Sequence, residues 1–198
     1  MKFSIRRAMS GASRLLTVAA VSMAASSLAV QPSQAEDKDV KVGFVMFLSG
    51  AAAGPFGVPA RNAAELMVES LNKGVVPAPY NSVGLAGTKI SPVYVDEASK
   101  NKVADYKKLV EKDGVDLVIG YISSGSCKAI APVAEEAKKL TILFDCGTPQ
   151  IFEDIVTSPK YVFRTGGHAT MDNAAAARYL LSVDSKAASI AGINQNYA

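Results

Sequence analysis

The sequence predicts an α/β fold with an open, mostly parallel, doubly wound sheet and helices on both faces. Short apolar segments alternate along the chain with longer segments of helical periodicity. One short segment, VDLVIG at 115–120, is almost entirely apolar, as is typical of a strand covered on both faces. Strands that alternate with helices are joined by right-handed crossovers, which make neighbouring strands parallel.

Six segments have the apolar composition of strands. In chain order they are Val40–Phe47, Lys89–Val95, Val115–Ile119, Leu140–Phe144, Tyr161–Arg164 and Ala187–Ile193. Pro92 indicates that the second strand lies at an edge of the sheet, because proline has no N–H to donate to a neighbouring strand.

Four segments between these strands have helical periodicity. They begin near Pro59, Ser99, Lys128 and Thr170 and end near Gly74, Lys112, Lys139 and Val183. Pro59 suits the first turn of a helix, where its missing N–H would have no helical partner. Ser99 can cap the second helix with its hydroxyl.

Residues 1–35 have the composition of a signal peptide. A basic start and an apolar stretch rich in Ala and Ser lead to a small-residue cleavage site, Ser33-Gln34-Ala35. We therefore expect export to a bacterial periplasm and a mature domain of residues 36–198. An amphipathic anchor that is retained is the alternative.

The net positive charge of the chain comes from the predicted signal peptide. Residues 1–35 carry four of the 21 basic residues and no acidic one, so the rest of the chain has 17 basic and 18 acidic residues. No cluster of Lys and Arg with interleaved aromatic residues follows. We expect no nucleic-acid partner.

The loop GYISSGSC, residues 120–127, follows the third predicted strand, and ligands of parallel sheets bind beyond the carboxyl ends of the strands. A phosphate loop would end in Gly-Lys-Ser/Thr, but Lys128 has no glycine before it. A helix start with Ser123, Ser124 and Ser126 remains, and its N–H and hydroxyl groups suit a carboxylate. Simple helix capping by Ser124 or Ser126 is the alternative.

The fourth predicted strand leads into a similar loop, DCGTPQIF at 145–152. Thr148 can cap the following turn or donate to a ligand, and Gly147 lets the backbone come close to one. Because the two strands are expected to be neighbours, both hydroxyl-bearing loops would face one crevice.

Cys127 and Cys146 lie in these two loops, and in an oxidising compartment we expect them to form a disulfide. The alternative is an exported cysteine hydrolase with Cys127 as nucleophile, completed by His168 and Asp145. The chain shows neither metal-ligand spacing nor a nucleotide fingerprint, so we expect no metal and no cofactor.

The chain carries, in order, VKVGFVMFLSG, GPFG, ARNAAELMVESLN, YVDEASK, DGVDLVIGYISSGSCKAIAPVAEE, TILFDCGT and YVFRTGG. This order resembles the leucine/isoleucine/valine-binding family of periplasmic substrate-binding proteins of ABC transporters. The resemblance implies the first lobe of a two-lobed binding protein, no enzymatic activity, and a membrane permease as partner. It also implies that the second lobe is missing, so we expect a truncated chain.

The resemblance assigns roles to residues of the two hydroxyl-bearing loops. Ser124 and Thr148 match positions that hold the α-carboxylate of an amino-acid ligand, and Ser123 belongs to the same serine loop. Cys146 would offer its backbone carbonyl to the ligand amine. Phe56 would pack on the ligand.

Other positions affect which ligand is expected. Tyr197 matches an aromatic residue that enters the site from the crossing region, while Phe56 stands where a tyrosine is common. Asp145 places an acid near the expected carboxylate site, which makes anion binding more costly. The ligand expected is a small amino acid or an aromatic or other small carboxylate or amide. A ligand-sensing receptor lobe of the same fold is the further alternative.

Overall fold

The computed structural model describes residues 38–184 together with Lys186, Ala188, Ser189, Ala191 and Gly192. Its one sheet contains five parallel strands in the order β2-β1-β3-β4-β5. The strands are β1 Val40–Met46, β2 Ile90–Asp96, β3 Leu117–Gly120, β4 Thr141–Leu143 and β5 Val162–Arg164. The strand β2, which contains Pro92, lies at an edge, as predicted.

In the part of the chain that the structure describes, four α-helices connect or follow these strands. They are α1 Val58–Lys73, α2 Lys102–Glu111, α3 Ser124–Glu136 and α4 Ala169–Val183. Single π-helical turns lie at Ala53–Gly57 and Ile151–Ile155. Within the described ranges, no helix has both the length and the apolar composition needed to cross a bilayer.

Helices cover both faces of the sheet, so the predicted doubly wound arrangement is confirmed. On one face, Leu109 of α2 and Ile130 of α3 pack with Val118 and Leu143 in the larger apolar cluster. On the other face, Val68 of α1 packs in a smaller cluster with buried residues of β1 and β2. The loops that follow β1, β3 and β4 begin at the carboxyl ends of these parallel strands.

Two predicted helix starts are wrong. The helix α3 begins at Ser124, four residues before the predicted Lys128, because tertiary contacts hold a first turn whose Ser and Gly residues have low helix propensity. The helix α2 begins at Lys102 and is not capped by Ser99. Instead, the Ser99 hydroxyl accepts a hydrogen bond from the N–H of Asn101 at 3.1 Å, within the turn that precedes the helix.

The predicted sixth strand, 187–193, falls partly outside the described residues. Ala188, Ser189, Ala191 and Gly192 belong to it and are described, and none of these four is in a strand. The predicted signal peptide, 1–35, lies wholly outside the described residues.

Candidate ligand-binding cleft

A strained turn leads from β3 into the serine loop. Gly120 has φ +150°, and a Cβ there would collide with the carbonyl oxygen of Val45. Tyr121 has φ +66°, which is costly for a residue with a side chain. Its side chain is only 2% exposed, and burial raises the pKa of Tyr121 far above its ordinary value. The chain therefore turns sharply away from the sheet just before the serines.

The Glu97 carboxylate anchors this loop through two hydrogen bonds to its backbone. Its Oε2 accepts a hydrogen bond from the N–H of Ile122, and its Oε1 accepts one from the N–H of Ser123, both at 2.9 Å. Glu97 is only 1% exposed. Such burial is unusual, because a glutamate side chain is charged at neutral pH in most proteins. The two oxygens thus fix two consecutive backbone groups ahead of α3.

Opposing effects act on the pKa of Glu97. Burial raises the pKa of Glu97 above its ordinary value, and the N–H bonds from Ile122 and Ser123 oppose this rise without cancelling it. The Ser126 hydroxyl and the charge of Lys102 act in the same direction as these N–H groups.

The neighbouring acid, Asp96, holds a different loop. Its Oδ1 accepts hydrogen bonds from the N–H groups of Leu48 and Ala98, each at 2.9 Å, and its Oδ2 accepts one from the Ser49 hydroxyl at 2.6 Å. Burial alone would raise the pKa of Asp96, but these bonds outweigh it and the pKa is lowered. Two consecutive acids at the end of β2 therefore support the loops after β1 and β3.

The serines are placed differently from the capping prediction. Ser123 is the N-cap residue of α3, with an extended backbone and no side-chain capping hydrogen bond. Ser124 and Ser126 are buried residues within the first turn of the helix. Capping by the Ser124 or Ser126 side chain is therefore wrong, since neither residue occupies the N-cap position.

The loop after β4 is held by Arg164 of β5. The Arg164 Nη1 donates hydrogen bonds to the carbonyl oxygens of Cys146 at 2.9 Å and Thr148 at 2.7 Å. Its guanidinium carbon lies 5.3 Å from the centre of the Phe152 ring. Burial lowers the pKa of Arg164, and the charge of Glu153 opposes that change. A charged residue again fixes a loop whose backbone groups have no strand partner.

Ser124 and Thr148 line one cleft of about 540 Å³, together with Gly147, Pro149, Gln150, Ala169 and Asp172. The N–H of Ala169 donates to the carbonyl oxygen of Gly147 at 2.9 Å, which places the first turn of α4 beside the same loop. Asp172 enters the lining from that turn. The sequence did not point to Asp172, because its position on the cleft depends on how α4 leaves β5.

The other predicted site residues are spread more widely. Phe56 lies in the π-helical turn before α1, 51% exposed, and is not among the residues that line the cleft. Cys146 is buried, and Asp145 is exposed and does not line the cleft. Tyr197 lies outside the described residues. The structure thus brings the serine and threonine loops together but not the aromatic residue Phe56.

The arrangement does not support a cysteine nucleophile. Cys127 and Cys146 form a disulfide, as predicted, so the Cys127 sulfur is already bonded. His168 is the N-cap residue immediately before α4 and lines a separate pocket with Arg164 and Phe163. In the described part of the chain, no three His, Cys, Asp or Glu side chains are grouped so as to hold a metal ion.

A sequence profile described as periplasmic binding protein matches residues 39–198, nearly all of the chain after the predicted export segment. The chain belongs to the periplasmic binding protein family. Members of this family are binding proteins, and the parallel five-stranded sheet with helices on both faces is the arrangement expected of one lobe of such a protein.

Relatives in the periplasmic binding protein family extend the comparison. The leucine-specific-binding protein of Salmonella typhimurium is 30% identical over 158 residues, which are 78% of this chain and 39% of that protein. The chain therefore spans about two fifths of the length of this relative.

Solved structures of solute-binding proteins have the same fold. One from Rhodopseudomonas palustris, in complex with 3,4-dihydroxy benzoic acid, superposes with a TM-score of 0.51 at 26% identity, over 67% of this chain and 33% of that one. A branched-chain amino acid binding protein from Streptococcus pneumoniae, in complex with isoleucine, gives 0.55 at 23% identity, over 66% and 34%.

Proposed function

We propose that this protein is the solute-binding component of an ABC importer and that it holds the carboxylate of a small ligand between Ser124 and Thr148. The observation that carries the proposal is that these two residues, from loops after neighbouring strands, line one cleft. Ser124 lies in the first turn of α3, where the helix dipole favours a negative charge. A carboxylate has two oxygens and can accept from both loops at once.

The remaining predicted residues have supporting roles in this proposal. The Cys146 carbonyl already accepts one hydrogen bond from Arg164, and a carbonyl oxygen has a second lone pair that a ligand amine can use. Ser123 lies beside Ser124 and is proposed to contribute to the same end of the cleft. Phe56 and Tyr197 are proposed to contact the apolar part of the ligand.

The ligand class follows from what the relatives bind. The relatives named above are described as binding leucine, isoleucine and 3,4-dihydroxy benzoic acid. These three compounds share one carboxylate attached to a small apolar or aromatic body. We propose the same class for this protein, with the carboxylate at the serine and threonine loops.

Transport requires more than this lobe. Because the chain spans 39% of its curated relative, we propose that it works with a second lobe that closes over the ligand. The ligand would favour the closed form, which a membrane permease then recognises. Residues 1–35 are proposed to direct export to the periplasm.

The test is a binding screen on the full-length protein. We expect L-leucine, L-isoleucine or 3,4-dihydroxybenzoate to raise the melting temperature, because a ligand that binds the folded state stabilises it by mass action. Isothermal titration calorimetry then measures Kd. The matched control ligands are L-leucinamide and 3,4-dihydroxybenzamide, which lack the carboxylate. Equal binding of acid and amide would contradict the carboxylate site.

A further inference from the structure

We propose that Glu97 is a positioning residue of the ligand site, which fixes the serine loop and so sets the affinity for a carboxylate that it does not touch. This inference rests on the proposed function, since it concerns the same site. Glu97 is not among the residues that line the cleft. Its contacts are with the backbone immediately before Ser124.

The contact joins parts of the sheet that are not neighbours. Glu97 directly follows β2, and its N–H donates to the carbonyl oxygen of Met46 at 2.8 Å, at the end of β1. Its side chain holds the loop after β3, and β3 pairs with β1 and β4 but not with β2. No strand pairing can supply this link, so it depends on one side chain that reaches past the end of β1.

The chemistry of the carboxylate matches the two backbone groups. Ile122 and Ser123 follow the left-handed Tyr121, where the chain has left the sheet and their N–H groups have no strand partner. A carboxylate offers one oxygen to each. Glutamine would offer one oxygen and turn an NH₂ group toward the other N–H, and aspartate would be one methylene shorter. Among these side chains, only glutamate satisfies both donors.

Burial of the Glu97 carboxylate has a cost that its hydrogen-bond partners and a nearby cation must offset. A buried carboxylate is costly unless it is hydrogen-bonded, and Glu97 is only 1% exposed. Lys102 lies close enough to favour the charged form, and its Nζ is itself held by the carbonyl oxygens of Glu97 at 2.7 Å and Ser99 at 3.0 Å. The carboxylate is thus surrounded by two backbone N–H donors and the charge of Lys102.

The placement of Glu97 also decides which groups face the ligand. Because Glu97 accepts from the N–H of Ser123, that backbone group is not available to a ligand carboxylate. A shift of the loop would move the Ser124 hydroxyl relative to Thr148, and a displacement of about 1 Å in a binding group is costly.

The chain offers a matched control in Glu135. Its Oε1 accepts hydrogen bonds from the N–H groups of Lys160, Tyr161 and Val162 at 2.8, 2.8 and 2.9 Å. These residues lie at or just before the amino end of β5. The cleft lies at the other end of the strands, beyond the carboxyl ends of β3 and β4. Glu135 therefore performs the same kind of backbone support but makes no direct contact with the serine and threonine loops in these hydrogen bonds.

The experiment compares Glu97→Gln with Glu135→Gln in the full-length protein, with L-leucine and 3,4-dihydroxybenzoate as probes in calorimetry. We expect Glu97→Gln to weaken binding by about tenfold or more, since the amide leaves one of the two buried N–H groups without an acceptor, and Glu135→Gln to change Kd by less than about twofold. In ¹⁵N–¹H spectra, Glu97→Gln should also shift the amide signals of Ile122 and Ser123, whether or not a probe binds.

Wild-type Kd in Glu97→Gln, or unchanged Ile122 and Ser123 amide signals, would overturn the inference. Thr148→Ala separates this failure from that of the proposed function. If Thr148→Ala weakens binding and Glu97→Gln does not, only the role of Glu97 falls. If neither does, the site itself is wrong. Should Glu97→Gln fail to fold, Glu97→Asp keeps the charge and gives the same two readouts.

Discussion

Cys127 and Cys146 are joined by a disulfide that connects the first turn of α3 to the segment after β4, with 6.4 Å between their Cα atoms. Both residues are fully buried. Ser124 precedes one cysteine by three residues, and Thr148 follows the other by two. The bond therefore sets the separation of the two loops that line the cleft, in addition to stabilising the fold.

Removal of this disulfide should lower both stability and ligand affinity. The cysteines are 19 residues apart, and a closed loop of that length stabilises a protein by about 3 kcal/mol. We expect the Cys127→Ala, Cys146→Ala double variant to lose a free energy of unfolding of that order in urea denaturation. Two alkylatable thiols in the unreduced, denatured wild-type protein would contradict the disulfide.

Ser124→Ala and Thr148→Ala should each weaken ligand binding by about 1–3 kcal/mol, because each leaves one carboxylate oxygen without a hydroxyl donor. Calorimetry with the tightest-binding probe of the screen measures the change. Ser182→Ala is the control, since the Ser182 hydroxyl donates to the Tyr179 carbonyl within exposed α4. Unchanged Kd in both cleft variants would show that these hydroxyls serve only the fold.

Arg164→Lys should weaken ligand binding although it keeps the positive charge. One guanidinium nitrogen bridges the carbonyls of Cys146 and Thr148, and an ammonium group on a differently shaped chain cannot keep both bonds with the Phe152 contact. We expect a loss of about 1.5–3 kcal/mol in the free energy of unfolding together with a weaker Kd. Arg178→Lys, on the exposed face of α4, should change neither quantity.

Stability should fall in acid because of Glu135. Burial alone would raise the pKa of Glu135, but its three N–H bonds and the charge of Lys160 outweigh it, so the pKa is lowered from 4.5. Its contribution to stability is therefore complete above pH 4.5 and is lost as the pH falls through the lowered value. Urea denaturation below pH 4.5 should show wild type losing stability faster than Glu135→Gln.

Glu97 should produce the opposite pH dependence. Its pKa is raised from 4.5, so the folded state binds the proton more tightly than the unfolded state does. Its contribution to stability is present below pH 4.5 and is lost as the pH rises through the raised value. The stability of wild type minus that of Glu97→Gln should thus decrease as the pH rises above 4.5, and a constant difference would contradict the raised pKa.

The fold was largely predictable because it depends on local patterns. Apolar runs such as Val40–Met46 have the length and composition of a strand. Pro92 could be assigned to an edge strand, since an inner strand would need the N–H that proline lacks. The start of α3 was not predictable in this way. Its first residues, Ser124 to Cys127, are weak helix formers held by the disulfide and by the Glu97 contacts just before them, and neither constraint is local.

The sequence by itself determined the alternation of strands and helices, the two hydroxyl-bearing loops and the pair of cysteines. Each of these features can be recognised from residues that lie close together in the sequence. Only the tertiary structure decided which charged side chains hold those loops, because Glu97 is 25 and 26 positions from the groups that it binds and Arg164 is 16 and 18 from its own. Backbone groups that leave a sheet need partners, and the fold, not the sequence spacing, determines which side chains can reach them.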